Sequence, residues 1–132
     1  MDGTLQIGMK GSGRTAVDGK NTAEAMGSGD LPVFATPAMA ALMEKTAAES
    51  VGPHLAPGQT SVGTMIQIEH VSATPVGGVV RCESELVKIE GRKLRFSLAA
   101  YDDAGLIGHA EHERFIVERE KFMHKAAAKV AR

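Results

Sequence analysis

Residues 36–51, TPAMAALMEKTAAESV, decide the fold that this chain can adopt. Thr36 is a typical N-cap residue, Pro37 suits the first helical position, and no helix breaker occurs before Gly52-Pro53. Side chains spaced three and four apart form an apolar stripe: Met39, Leu42, Met43, Thr46, Ala47 and Ser50. Since few of its residues are charged, we expect this helix to be buried on most sides.

Beyond residue 60 the apolar period changes to two, which is typical of strands. Glycine- and aspartate-containing turns divide this region into four strands, the last of them Leu106–Val117. The predicted inward rows are Val62, Thr64, Ile66, Ile68 and His70 in the first strand, Val80, Cys82, Ser84 and Leu86 in the second, and Leu94, Phe96, Leu98 and Ala100 in the third.

The two ends of the chain are less regular. Residues 1–30 are rich in glycine, and we predict short strand pieces at Thr4–Met9 and Arg14–Val17 and then a mobile connection over Gly19–Asp30. A short helix is predicted over Glu118–Ala131. The chain therefore divides into an N-terminal strand and lid (1–30), a core (31–122) and a C-terminal helix (118–132).

One apolar helix must cover the inner face of a long antiparallel meander. The economical solution is a sheet curled around that helix, an α+β arrangement known as the hot-dog fold. A sheet and one helix leave little interior for a deep cleft, so we expect the functional site at a boundary between two copies of the chain.

Composition excludes several classes of function. The 132 residues carry a formal charge of −1 and no tryptophan, which argues against a nucleic-acid-binding surface. The longest uncharged apolar stretch, Leu31–Met43, is shorter than the ~20 residues of a membrane span, and Met1-Asp2-Gly3 does not begin a signal peptide. The single cysteine, Cys82, excludes an intrachain disulfide and suits a reducing compartment, so we predict a cytoplasmic protein that acts on, or binds, a small molecule.

Two motifs suggest sites that their context does not support. Gly8–Thr15 nearly spells a phosphate-binding loop, but such loops need a parallel strand–helix unit, and no helix is predicted directly after it. His109 and His112 could suggest a metal site. Because residues three apart on a strand point to opposite faces, the two histidines cannot chelate one ion together.

Four side chains remain as candidates for chemistry. Glu44 is surrounded on its helix by Ala40, Ala41, Ala47 and Ala48, which implies close approach of another segment and a desolvated carboxylate. His70 ends an apolar row on the sheet face that the helix covers, so His70 and Glu44 could converge. The Thr36 hydroxyl stands at a helix N-terminus, which favours a developing anion. Arg114 shares a face with His112 and with two small residues that leave room for a ligand.

A set of short motifs between Leu31 and Phe122 resembles the fluoroacetyl-CoA thioesterase family. They are Val33-Phe34-Ala35-Thr36, Leu42-Met43-Glu44, Ser61-Val62-Gly63-Thr64, His70 with Ala73-Thr74-Pro75, Glu90-Gly91-Arg92 and His112-Glu113-Arg114. The resemblance implies a hot-dog homodimer that hydrolyses acyl-CoA thioesters without a cofactor, coenzyme A being part of the substrate. It places Thr36, Glu44 and His70 on the catalytic positions, and Gly63 and Arg114 on substrate-contacting positions.

One segment departs from the family pattern. The type enzyme has phenylalanines in the lid that recognises the fluorinated acyl group, whereas this chain has Gly27-Ser28-Gly29-Asp30. We therefore expect a flexible, non-aromatic lid and do not predict fluoroacetyl selectivity. Since the chain has no general basic field, the phosphates of CoA need local partners, for which Arg92, Lys93, Arg114 and Lys121–Lys125 are the candidates.

Several mechanistic alternatives stay open on sequence. Glu44 could act as the base for water or as a nucleophile through an anhydride, and His70 could activate water or carry a proton. Thr36 could orient Glu44 or hydrogen-bond the intermediate. Two other functions fit the same fold, a non-catalytic acyl-CoA-binding module and an enoyl-CoA hydratase, although the Asp/His motif of hot-dog hydratases is not found.

Overall fold

A computed structural model describes residues 4–130 of the chain. Five strands and three helices follow one another along it. In chain order they are β1 (Lys10–Ala16), α1 (Ala23–Met26), α2 (Thr36–Val51) with a 3₁₀ turn at Gly52–His54, β2 (Gln59–His70), β3 (Val79–Glu90), β4 (Lys93–Asp102), β5 (Gly105–Glu118) and α3 (Arg119–Ala127).

The strands form a single antiparallel sheet in the order β1-β3-β4-β5-β2, and α2 packs against its inner face. Buried side chains of α2 meet the inward rows of β3 and β4 that the sequence predicted. The predicted architecture, one apolar helix covered by a curled antiparallel sheet, is confirmed. The predicted meander of four strands was wrong for its first strand, because β2 pairs with β5 rather than with β3. Within residues 4–130, β1 and β2 are the two edges of the sheet, and each has a hydrogen-bonded strand on one side only.

Helix α2 begins differently from the prediction. Its N-cap is Ala35, which is extended (φ −78°, ψ 143°) and accepts the first helical hydrogen bond from Met39 N. Thr36 is therefore the first helical residue, and its hydroxyl does not cap the helix. The prediction of Thr36 as N-cap was wrong by one position, and the shift leaves this hydroxyl available for another partner.

The glycines of β1 have a structural role. A Cβ atom on Gly13 would lie 2.6 Å from Thr46 Oγ1, and one on Gly11 would lie 2.7 Å from Ser50 Cβ. The sequence that nearly spells a phosphate-binding loop is thus a strand whose glycines let α2 approach closely. The strand predicted at Thr4–Met9 was wrong, since β1 starts at Lys10.

Strand β2 contains a β-bulge that the period-two pattern could not reveal. Its pairing with β5 shifts between Gly63 and Met65, so Thr64 has no register partner on β5. Gly63 faces α2, whereas Val62 pairs with the exposed Phe115 on the outer face. The prediction that Val62 and Thr64 share a face with Ile66, Ile68 and His70 was wrong, because the extra residue moves the first half of the strand by one position.

The connection before α2 contains a helical turn that the sequence did not predict. The four-residue helix α1 is capped by the buried Thr22, whose Oγ1 accepts from Ala25 N at 3.2 Å, and it ends at Gly27 in the left-handed region. At the other end α3 ends at Ala127, four residues before the predicted end at Ala131, which lies outside the described residues. None of the helices in residues 4–130 has the length and hydropathy needed to cross a membrane.

Candidate active site

The structure joins Thr36 and His70 by a hydrogen bond. Thr36 opens α2, His70 ends β2, and Thr36 Oγ1 lies 2.8 Å from His70 Nδ1. Burial lowers the pKa of His70, and a hydrogen bond with the Ser72 backbone offsets part of this effect. The other ring nitrogen, Nε2, is shielded from solvent and has no hydrogen-bond partner among residues 4–130. His70 therefore favours the neutral form, with one nitrogen still uncommitted.

A cavity of about 320 Å³ lies beside this pair. Besides Thr36 and His70, its lining includes Phe34 and two small side chains of the lid segment, Ala23 and Ser28. A second concavity, of about 740 Å³, is lined by Lys10, Glu83 and His109 among others and contains none of the predicted site residues. The smaller cavity is therefore the better candidate for an acyl group.

Glu44 lies at a second position on the same face of the sheet. Its Oε1 is 3.7 Å from Arg114 Nη1, and a Cβ atom on Gly63 would lie 2.7 Å from the same oxygen. The close approach predicted from the surrounding alanines is found, and Gly63 provides it. Desolvation is smaller than expected, because the Glu44 side chain is still 43% exposed in the single chain.

Arg114 is held firmly although it is charged and only 7% exposed. Its Nε donates to Ser61 Oγ at 2.7 Å and its Nη2 to the Ser61 carbonyl at 2.9 Å. Its Nη1 donates to His112 Nε2 at 3.2 Å and faces Glu44. Burial lowers the Arg114 pKa and the Glu44 carboxylate opposes that effect, so the guanidinium remains charged at neutral pH.

The predicted site residues thus fall into two groups rather than one. Thr36 and His70 form the first group, and Glu44, Gly63 and Arg114 form the second. Because Thr36 and Glu44 are eight residues apart on one helix, the rise between them is about 12 Å. The predicted convergence of His70 and Glu44 is not found within one chain, where they share no hydrogen bond or ion pair.

Sequence reasoning overlooked two residues of the second group. Ser61 lies inside a motif that carries the resemblance, but nothing in its spacing shows that it holds Arg114. His112 was considered as a metal ligand together with His109 and was otherwise named only as a neighbour of Arg114. The structure confirms that the two histidines lie on opposite faces of β5, His112 fully buried and His109 exposed. The signal for His112 was its position two residues before Arg114 on the inward row.

Comparison with known proteins places the chain in a family. Residues 17–120 match the family described as FlK: fluoroacetyl-CoA-specific thioesterase. The chain belongs to this thioesterase family. The resemblance of the motifs and the prediction of a hot-dog thioester hydrolase are thereby confirmed.

Individual relatives agree with this membership. The fluoroacetyl-CoA thioesterase of Streptantibioticus cattleyicolor is 41% identical over 97 residues, which are 74% of this chain and 70% of that protein. A solved structure of the fluoroacetyl-CoA thioesterase FlK is 33% identical, covers 97% of this chain and 99% of its own, and superposes with a TM-score of 0.90. A thioesterase superfamily member from Thermus thermophilus is 25% identical, covers 95% of this chain and 93% of its own, and has a TM-score of 0.88.

Proposed function

We propose that this thioesterase hydrolyses CoA thioesters of small acyl groups, with Thr36, Glu44 and His70 as catalytic residues and Gly63 and Arg114 as substrate-binding residues. The observation that carries the proposal is the 2.8 Å hydrogen bond between Thr36 and His70 at the 320 Å³ cavity. It presents a hydroxyl and an imidazole at the N-terminus of a 16-residue helix, where positive partial charge favours an oxyanion.

The reaction needs an activated oxygen nucleophile and stabilisation of the oxyanion. Water, or Glu44 itself, adds to the carbonyl carbon, and the C–S bond then breaks to release CoA thiolate. Because free thiols have a pKa near 8.5, this leaving group needs little protonation and no resident cofactor. We assign activation to Glu44, proton transfer to His70, and hydrogen bonding of the oxyanion to Thr36.

An isotope label can identify a covalent route through Glu44 in one turnover. With the enzyme in excess over acyl-CoA in ¹⁸O-labelled water, direct attack by water places the label in the released acid. Attack by Glu44 forms an anhydride, and its hydrolysis leaves ¹⁸O in the Glu44 carboxylate or in the acid. An ¹⁸O label in the peptide that contains Glu44, detected by mass spectrometry, identifies the anhydride route, whereas label in the acid alone is given by both routes.

The separation of the two groups favours a homodimer in which each site takes one group from each subunit. Strand β2 has a free edge, and the inward Ile66 and Ile68 are only partly buried. Long exposed edges favour pairing with a second copy, usually around a two-fold axis. If β2 pairs antiparallel with its copy around an axis between Ile66 and Gln67, Gly63 lies opposite His70 of the partner subunit. Such pairing would also cover the exposed side of Glu44.

Complementation tests this shared site. Glu44→Gln and His70→Ala each inactivate a homodimer, but a heterodimer of the two contains one intact site if the groups come from different subunits. Random mixing of equal amounts should then restore about a quarter of the wild-type kcat. Sites contained in one subunit would give no recovery, and sedimentation of the wild type as a monomer would also refute the proposal.

Substrate choice follows from the lid. Residues 23–30, AEAMGSGD, include no aromatic side chain, so we propose that the enzyme does not discriminate strongly in favour of fluoroacetyl groups. The test compares kcat/KM for acetyl-, fluoroacetyl-, butyryl- and benzoyl-CoA by thiol release. Absence of turnover on all four with intact CoA binding would instead indicate the non-catalytic acyl-CoA-binding module.

Arg92, Lys121 and Lys125 surround a small surface groove with Phe115 and Phe122, and we propose them as partners for the CoA phosphates. We further propose a cytoplasmic location, because the only cysteine is buried and unpaired.

A further inference from the structure

The second group of the site contains a residue to which no role has been given. His112 lies on the inward row of β5, opposite Ile66 on β2 and Phe96 on β4, and its side chain is fully buried. Its ring also packs near the Phe96 ring, with the centroids 6.0 Å apart. A buried imidazole in such a position is held by its hydrogen bonds, so their directions determine what it does.

Those directions fix the tautomer of His112. Nδ1 lies 2.7 Å from the carbonyl oxygen of Met65, and since a carbonyl only accepts, Nδ1 must carry the hydrogen. Nε2 lies 3.2 Å from Arg114 Nη1, and since a guanidinium only donates, Nε2 must present its lone pair. Burial lowers the His112 pKa, and the charge of Arg114 lowers it further, although Met65 and Glu44 oppose the shift. The hydrogen-bond partners and the lowered pKa therefore both indicate a neutral imidazole with its hydrogen on Nδ1.

Arg114 uses this neutral acceptor together with Ser61. Three of the five guanidinium N–H groups are occupied, two by Ser61 and one by His112. The other two belong to the terminal nitrogens, and Nη1 faces Glu44 at 3.7 Å. A carboxylate in place of His112 would pair with the guanidinium and withdraw it from Glu44, and a cation would repel it. A neutral acceptor holds the Arg114 guanidinium in place without neutralising its positive charge, so that charge still acts on Glu44.

We infer that His112 is a positioning residue for thioester hydrolysis, a neutral Nδ1–H imidazole that holds the Arg114 guanidinium against Glu44. The inference rests on the proposed role of Glu44 and Arg114. The contact with Gly63 agrees with it, since a Cβ atom there would meet Arg114 Nη1 and His112 Cε1, each at 3.3 Å. Gly63 thus forms one packed unit with the side chains of Glu44, Ser61, His112 and Arg114.

Two substitutions separate the two hydrogen bonds of the ring. In His112→Asn the amide nitrogen occupies the place of Nδ1 and still donates to Met65, but no atom replaces Nε2. In His112→Gln the amide oxygen reaches the place of Nε2 and accepts from Arg114, but the bond to Met65 is lost. We expect kcat to fall about tenfold or more in His112→Asn, because a guanidinium that loses its support moves, and to recover at least partly in His112→Gln.

If His112 had only a structural role, kcat would fall in proportion to the loss of thermal stability. His112→Asn would then have a kcat equal to or higher than that of His112→Gln. His109→Asn, on the same strand but exposed on the other face, is the matched control and should keep wild-type kinetics. Glu44→Gln and Arg114→Lys are measured in parallel. If both keep wild-type kcat, the proposed function fails. If both lose it while His112→Asn does not, only the inference about His112 fails.

A measurement on the wild type covers the case in which the variants do not fold. Nitrogen-15 NMR of the imidazole distinguishes the Nδ1–H tautomer, the Nε2–H tautomer and the cation. We expect His112 to give the Nδ1–H pattern at neutral pH. An Nε2–H or imidazolium pattern would refute the inference whatever the kinetics show.

Discussion

Gly63 and Glu44 contact each other so closely that no side chain can separate them: a Cβ atom on Gly63 would lie 2.7 Å from Glu44 Oε1. The glycine belongs to an edge strand and the glutamate to the central helix, so this contact fixes where β2 crosses α2. Gly63 has no positive φ, and its small size rather than its backbone freedom is what the site requires.

We expect Gly63→Ala to lower kcat/KM by about tenfold or more, because the methyl group must displace the Glu44 carboxylate or Arg114. Circular dichroism and thermal unfolding should show the fold retained. Gly52→Ala is the control, since a Cβ atom there has nothing within 4 Å. Wild-type kinetics in Gly63→Ala would remove Gly63 from the site.

Glu44→Gln keeps the size of the side chain and removes its charge. Loss of a base or nucleophile should lower kcat roughly 10²- to 10⁴-fold. Glu49→Gln, an exposed neighbour on the same helix, should leave kcat unchanged. Both are measured by release of free CoA thiol, and comparable activity in the two variants would assign the reaction to another residue.

Histidine burial predicts how stability depends on pH. In the folded chain the pKa values of His70 and His112 are both lowered from 6.5, so below about pH 6.5 the unfolded chain binds more protons than the folded one. The contribution of the two histidines to stability is complete above pH 6.5. It is lost as the pH falls through their lowered pKa values in the folded chain. We expect the free energy of unfolding in urea to decrease between about pH 7.5 and about pH 5.5.

The matched comparison uses His70→Gln, which removes one of the two titrating groups. Its free energy of unfolding should decrease less over the same interval than that of the wild type. An equal or steeper decrease would show that His70 does not favour the neutral form in the folded chain.

Gly13→Ala tests the packing of β1 on α2. The new methyl group would lie 2.6 Å from Thr46 Oγ1, and overpacking of this kind destabilises by about 1–3 kcal/mol. Urea unfolding measures the change, and Gly19→Ala serves as control because it meets nothing within 4 Å. Unchanged stability in Gly13→Ala would mean that the helix can move away from the strand without cost.

Cys82 should be unreactive in the folded protein. Burial raises its pKa to about 11, a hydrogen bond with Thr46 opposes the shift and Glu83 adds to it, so almost no thiolate forms at pH 8. A disulfide reagent should therefore detect only the CoA that is released, and one further thiol per chain after unfolding in guanidinium. Rapid labelling of the native enzyme would contradict the buried position.

The sequence predicted what depends on periodicity and on motif spacing. The helix over 36–51 and the inward rows of β3 and β4 follow from apolar repeats, since burial of one face produces them directly. The start of β1 at Lys10 could not be predicted, because its glycines are selected by contact with α2 and lower the strand propensity of the segment.

The candidate site was predicted residue by residue but not as an arrangement. Thr36 and His70 were named separately, and their hydrogen bond depends on Ala35 taking the N-cap position. The role of His112 depends on which ring nitrogen meets Met65, and no pattern in one sequence contains that information.

The bulge at Thr64 determines which side of the sheet the residues in the two halves of strand β2 face. Gly63 and His70 are separated by an odd number of positions, so in a regular strand they would point to opposite sides of the sheet. Because Thr64 has no partner on β5, an even number of paired positions separates Gly63 from His70, and these two residues both face α2. A strand of the same length without the bulge would turn one of the two halves of the site outward, although no residue of the site itself would have changed, whereas deletion of Thr64 would leave both halves facing α2.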